Sequence, residues 1–319
     1  MTRTFLAVCS PLLLILAACG GGSSSNRTPV ATVAPSPAAS TGCASAQAHA
    51  AGATNETIQS GGQERRYILR VPPAYDGKTA SPLVVGLHGY AQPNDLFAQY
   101  ADFGAVADAA GFVLAMPAAT GDPVAWNDRK LVNLPDDEAF LNDVLAKLEG
   151  SLCIDQARVY VAGFSLGGGM AVRAACDAPG TYAAVGLVSA VYAGCQPDAS
   201  LIAFHGMSDI VVPFEGGENP PERGGGTFPP VRRAVSEWAR KLGCDGLPLI
   251  SRPVDTVELS TFRRCAPGTD ALLYSISGGG HSWPGSKMTL PENIVGPTSR
   301  AIDATKTMWE FFAAHLLRR

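Results

Sequence analysis

Charge is scarce in this chain. Only 16% of its 319 residues are Asp, Glu, Lys or Arg, and the 24 basic and 28 acidic side chains nearly cancel, to a formal net charge of −4. No run of Lys and Arg is present that could track a phosphate backbone, which argues against nucleic acid as a partner. Neither CxxC nor HExxH spacing occurs, so no metal site is expected. Histidine is rare, with five in all. The apolar stretch Phe5–Ala18 has about 14 residues, short of the roughly 20 that a membrane-spanning helix needs. Apolar residues are plentiful, at 46%, as are glycine (35) and proline (24). A mostly disordered chain is thereby excluded, and the length suits one large domain or two small ones.

The first residues read as an address. Arg3 is a short basic region, Phe5–Ala18 an apolar one, and Leu16-Ala17-Ala18-Cys19 has the form of a bacterial lipobox. Residues 1–18 are therefore expected to be a lipoprotein signal peptide, with Cys19 carrying lipid and anchoring the chain at a membrane. Gly20 stands where an Asp would retain the protein at an inner membrane, which favours an outer membrane or the cell surface. Residues 19–42 are rich in Gly and Ser, then in Pro, Ala and Thr, and read as a tether. Residues 43–319 are expected to form the catalytic domain, as a monomer.

Six cysteines remain in that domain: Cys43, Cys153, Cys176, Cys195, Cys244 and Cys265. An even set in an exported chain suggests disulfides, although six cysteines allow many pairings. Nearness in sequence suggests Cys176–Cys195 and Cys244–Cys265, which leaves Cys43–Cys153.

Strand-like and helix-like segments alternate along the domain. Residues 66–71, 82–88, 112–116, 158–163, 183–188, 201–204 and 271–276 read as strands, several of them continuously apolar as in strands buried on both faces. Residues 95–110, 136–152, 166–177, 231–242 and 299–317 read as helices. Such alternation predicts a mostly parallel central sheet flanked by helices. Two long irregular stretches, 118–135 and 215–230, are expected to wall a cleft.

Gly163-Phe164-Ser165-Leu166-Gly167 matches GxSxG. The pattern alone arises readily by chance in a glycine-rich chain. Its placement between an apolar strand and a small-residue helix is more telling, because a sharp strand-to-helix turn needs glycines at its flanks and projects the serine off the sheet end. A serine hydroxyl needs a base. His281 follows the strand 271–276 near the C-terminus and fits the chain order Ser, acid, His. Asp209, just beyond the strand 201–204, is the acid best placed to orient that imidazole. Asp136 and Asp137 precede Ser165 and read better as the start of a helix. The N–H of Leu166 and that of Tyr90 are expected to form an oxyanion hole. Tyr90, Trp126 and Trp283 are read as substrate-binding aromatics, and His88 and His205 as histidines that bond locally at strand ends.

LHGY, WND, DDEAFL, VYVAGFSLGGGMA, HGMSD, GGGHSWPG and WEFF, in this order, resemble the secreted esterases grouped with polyhydroxybutyrate depolymerases and feruloyl esterases. The resemblance spans roughly residues 60–317. It implies an α/β-hydrolase fold, Ser165, Asp209 and His281 as a triad, and the bridges Cys176–Cys195 and Cys244–Cys265. Leu166 departs from the Asn or Gln that relatives often carry, without consequence for a backbone donor. The expected function is a lipid-anchored or secreted serine carboxylester hydrolase, acting on feruloyl esters, polyhydroxybutyrate or another polyester through an acyl-enzyme and needing no cofactor. The alternatives are an acyltransferase on envelope glycans or lipids and a non-catalytic binding lipoprotein.

Overall fold

The computed structural model describes residues 38–45, 49–191, 194–195, 197–221 and 226–318. The expected signal peptide, the lipidated Cys19 and most of the tether lie outside these residues. The last of the expected tether is already packed. Ala38 and Ser40 are buried, and Ser40 donates from its N–H to Ile154 O (2.9 Å) and from Oγ to Leu152 O (2.7 Å). The packed domain therefore begins upstream of Cys43.

A short helix, α1 (Gly42–Ser45), leads into the hairpin β1 (Gly52–Ser60) and β2 (Gln63–Val71). There follow β3 (Ser81–Leu87), α2 (Asn94–Ala101), α3 (Phe103–Ala110), β4 (Val113–Pro117), α4 (Asp137–Ser151), β7 (Ile154–Phe164) and α5 (Leu166–Asp177), with the small ladder β5 (Thr120–Gly121) and β6 (Val124–Ala125) inside the first long stretch. Next come β8 (Ala184–Val188), β9 (Ser200–Gly206), the small ladder β10 (Gly217–Glu218) and β11 (Thr227–Phe228), and α6 (Val231–Lys241). The chain ends with β12 (Asp245–Val254), β13 (Val257–Arg263), β14 (Ala271–Ile276), α7 (Glu292–Val295) and α8 (Ala304–Ala313).

Among the described residues, ten strands form one sheet in the order β1-β2-β4-β3-β7-β8-β9-β14-β13-β12. The central strands β4, β3, β7, β8, β9 and β14 run parallel, and β1, β2, β13 and β12 add antiparallel hairpins at the two edges. Helices cover both faces. Leu83, Val85 and Leu87 of β3 point into a core closed by α4, α5 and α6, whereas Val84 points into one closed by α2, α3 and α8. This explains why β3, β4, β8 and β9 are buried at every position.

Three strands of the ten-stranded sheet escape the sequence reading, as do the four short strands of the two small ladders. β1 and β12 are largely exposed edge strands and carry no apolar period, and β13 pairs with β12. The helix expected over 95–110 is two helices. Asp102, at φ 51°, ends α2 and begins α3. The helix expected from 299 starts at Ala304, where the Asp303 carboxylate accepts the Lys306 N–H.

Asp136 caps α4, accepting the N–H groups of Glu138 and Ala139. Asp137 does something the sequence did not suggest. Its carboxylate is buried, accepting from the Arg65 guanidinium of β2 at 2.6 Å and from the Asn127 N–H at 2.7 Å, and Arg65 also donates to Ala118 O. The pair bolts the first long loop to the sheet edge. Removing one partner leaves a buried charge unpaired, so Asp137→Ala is expected to lower the unfolding free energy by about 3–5 kcal/mol. Asp136→Ala, which loses a cap and a largely exposed ion pair with Arg173, should cost about 1–2 kcal/mol. Urea unfolding of the two variants, read by circular dichroism, checks the difference, and equal losses would contradict it.

Candidate active site

β7 passes into α5 through Ser165, whose backbone sits at φ 53° and ψ −122°. The turn has no room for side chains at its flanks. A Cβ on Gly163 would lie 2.2 Å from Gly167 O, and one on Gly167 would lie 2.3 Å from the carbonyl oxygens of Leu87 and His88. The two glycines thus let α5 close onto both β7 and β3, and the turn lifts the serine hydroxyl clear of the sheet.

Two other loops reach that hydroxyl. His281, after β14, brings Nε2 to 2.8 Å from Ser165 Oγ, and its Nδ1 lies 2.8 Å from Asp209 Oδ2. A carboxylate only accepts, so Nδ1 carries the proton and Nε2 is left to accept from the serine. Asp209, after β9, is buried, and its Oδ1 accepts the N–H groups of Val211 (2.8 Å) and Val212 (2.7 Å). Burial alone would raise this carboxyl. The electrostatic pull and hydrogen bond of the His281 Nδ1–H, with smaller contributions from the His205 ring and the Val212 N–H, outweigh it and hold Asp209 below the usual carboxylate range. The His281 loop is itself pinned, since the His281 N–H donates to Val295 O and the Gly280 N–H to Pro297 O.

The two remaining strand-end histidines are buried and bond locally, as read from the sequence. His88 donates from Nδ1 to Gly89 O (2.7 Å) and accepts the Ala119 N–H at Nε2 (3.0 Å), an arrangement that only the neutral ring satisfies. Burial pushes its pKa down to about 4. His205 donates from Nε2 to Val212 O (2.8 Å), and burial lowers it as well.

A cavity of about 470 Å³ opens at Ser165. Tyr90 and Leu166 line it, as do Ala190, Val191, Val211, Val212 and Phe228. Leu166 is the first residue of α5, so its N–H has no partner inside the helix. The two stretches expected as cleft walls do supply wall residues: Asp128 and Arg129 from the first, Pro221 and Phe228 from the second. Val191, Val211, Val212 and Phe228 were not picked out individually, because side chains on irregular loops carry no periodic signal.

Of the expected aromatics, Tyr90 is 59% exposed and stands at the cavity. The two tryptophans do not. Trp283 is 1% exposed and packs edge-on to Phe97 and Phe103, with Nε1 donating to Thr305 Oγ1 and its backbone N–H to the Tyr100 hydroxyl. It supports the His281 loop from below. Trp126 is 3% exposed, lies against the His88 ring and donates from Nε1 to His88 O. Both indoles are consumed by packing and cannot meet a substrate. The bridges Cys43–Cys153, Cys176–Cys195 and Cys244–Cys265 are all formed. Among the described residues no cluster of His, Cys, Asp and Glu is arranged to hold a metal ion, and no helix is long and apolar enough to cross a membrane.

Residues 65–209 match the family model described as esterase PHB depolymerase. Feruloyl esterase B of Piromyces equi is 30% identical over 239 residues, covering 70% of this chain, which spans 44% of that protein's length. A probable feruloyl esterase C of Aspergillus clavatus is 33% identical over 260 residues, covering 78% of this chain and 84% of that protein. The chain belongs to this esterase family. An acetyl xylan esterase from Aspergillus awamori superposes with a TM-score of 0.59 at 14% identity, over 82% of this chain and 99% of that one. At so low an identity the likeness speaks for the fold alone, that of the α/β-hydrolases.

The esterase holds His88 in a form that unfolding would protonate, which fixes a sign. Its folded pKa, about 4, lies below the 6.5 usual for a histidine in an unfolded chain. The unfolded chain therefore binds more protons between these values, and the stability is present in full above pH 6.5 and lost as pH falls towards 4. From pH 7 to 4.5 the unfolding free energy should drop by about 2–3 kcal/mol from this ring alone, with His205 acting in the same direction. Urea unfolding at the two pH values tests this, and equal stability at both would refute it.

Proposed function

We propose that this esterase hydrolyses carboxylic esters through a Ser165–His281–Asp209 triad. The observation that carries the reading is the unbroken path from Ser165 Oγ through His281 to Asp209, with both contacts at 2.8 Å and the tautomer that leaves Nε2 as acceptor. Ser165 Oγ attacks the ester carbonyl as His281 Nε2 takes its proton. Asp209 stabilises the imidazolium without being protonated. The N–H groups of Leu166 and Tyr90 receive the oxyanion. His281 then protonates the leaving alcohol, the acyl-enzyme forms, and a water activated by the same nitrogen releases the acid.

The cavity and the relatives together support a reading of the substrate class. Phe228, Val191, Val211 and Val212 make an apolar wall for the acyl part, and Tyr90, Asp128 and Arg129 a polar side for the alcohol. Feruloyl and related aryl esters suit such a cavity, as do short segments of a polyhydroxyalkanoate or another polyester. The relatives' names point the same way. The lipobox-like Leu16–Cys19 and three disulfides support an exported protein anchored by lipid at the cell envelope.

Two variants test the reading. Ser165→Ala should lower kcat/KM on p-nitrophenyl acetate by about 10,000-fold or more while the melting temperature stays within a few degrees; turnover near wild type would remove Ser165 from the mechanism. Phe228→Ala should raise KM for methyl ferulate about tenfold and leave that for p-nitrophenyl acetate nearly unchanged. Equal effects on both esters would move the acyl group away from Phe228.

A further inference from the structure

His205 does more than close a strand end. Its ring is buried in β9, and Nε2 lies 2.8 Å from Val212 O and 3.4 Å from Asp209 Oδ2. Both neighbours only accept, so Nε2 carries the proton. Val212 is also the residue whose N–H holds Asp209 Oδ1 at 2.7 Å. One peptide segment is thus gripped on two sides, its N–H by the Asp209 carboxylate and its carbonyl by His205. The imidazole anchors the turn 209–212 to a strand buried along its whole length.

The remaining surroundings are apolar or neutral. The ring stands edge-on to Phe214, and Ser275 of β14 is its partner across the ladder. Asp209 is the charged group in contact, and His281 exerts its influence across it. Nδ1 of His205 has no hydrogen-bond partner within the described residues. A buried nitrogen left without a partner is costly, which makes a merely space-filling role for the ring a poor account of its presence. Burial keeps it neutral. A neutral donor holds the turn without competing, as a second cation would, for the charge that Asp209 offers His281.

We propose that His205 is a positioning residue that keeps Asp209 aimed at His281 by clamping the 209–212 turn. The proposal rests on the triad reading given above. Its effect passes through Asp209, and the ring touches no reacting atom.

The test compares His205→Leu, which removes the donor, with His205→Gln, which keeps an N–H at similar reach. On p-nitrophenyl acetate, His205→Leu is expected to lower kcat about 10- to 100-fold with KM within about twofold of wild type. The acid limb of its kcat/KM profile should move to lower pH, because a misaligned carboxylate stabilises the His281 imidazolium less. His205→Gln should restore most of kcat and return the limb. A folded His205→Leu enzyme with wild-type kcat and an unmoved limb would overturn the proposal. So would a Gln variant no better than Leu. Nitrogen-15 NMR of the unmodified enzyme gives a check free of any folding defect: His205 should stay neutral with its proton on Nε2 from pH 6 to 8, and a charged ring or an Nδ1–H tautomer would overturn the proposal. Ser165→Ala in the same assay separates the two readings. If it stays active the triad fails, whereas an inactive Ser165→Ala beside an unaffected His205→Leu defeats the clamp alone.

Discussion

Ser165 holds its backbone at φ 53° and ψ −122°, a region that an L-residue enters against its own Cβ at a cost of about 1–3 kcal/mol. Much of the architecture around the cleft answers to that single residue. Its N–H donates to Val188 O at the end of β8, and its carbonyl accepts from the Gly168 and Gly169 N–H groups as α5 begins. Gly163 and Gly167 permit backbone contact where any side chain would collide. The strain persists because β7, the longest strand at 11 residues, is paired on both sides by β3 and β8. A turn held this firmly fixes where the hydroxyl stands, and the loops after β9 and β14 need only meet it.

Those loops meet it with groups whose charge is strictly rationed. Asp209 is the anion placed under His281, and burial by itself would neutralise it. It stays ionised because its oxygens are occupied by N–H groups of the backbone and of His281. His88 and His205, two further rings close at hand, are kept neutral by burial, and the partners of His88 fit only the uncharged form. The field that reaches Ser165 through His281 therefore comes from one carboxylate in a weakly screening interior, where such interactions are stronger than in water.

The parallel core was legible because its strands are apolar at every position and its helices carry a one-sided stripe. The residues at the strand ends were legible because chain order and the glycine-flanked turn restrict them. Ser165, His281 and Asp209 could be picked from few alternatives, and the structure brings all three together. What escaped is physical too. β1 and β12 lie at the sheet edges, largely in water, so no hydrophobic period marks them. Asp102 bends a run of apolar residues that reads as one helix. Trp126 and Trp283 resemble ligand-facing aromatics in sequence, yet their indole N–H groups are spent on His88 O and Thr305. Aromatic character alone does not say which side of a loop a ring will face. His205 was read as a local partner, and only the distances reveal that its neighbour is the residue holding Asp209.

The Cys43–Cys153 bridge joins the domain's first residues to the position just before β7, where Ala39 also pairs with Asp155 and the Ala38 carbonyl accepts the Gln156 N–H. Ser165 lies at the other end of that same strand. Eleven residues of β7, at about 3.3 Å each, set the two points roughly 35 Å apart. The seam that holds residues 38–43 to the sheet is thus set at the far end of β7 from the cavity at Ser165, so the backbone that shapes the cavity owes nothing directly to that stitching.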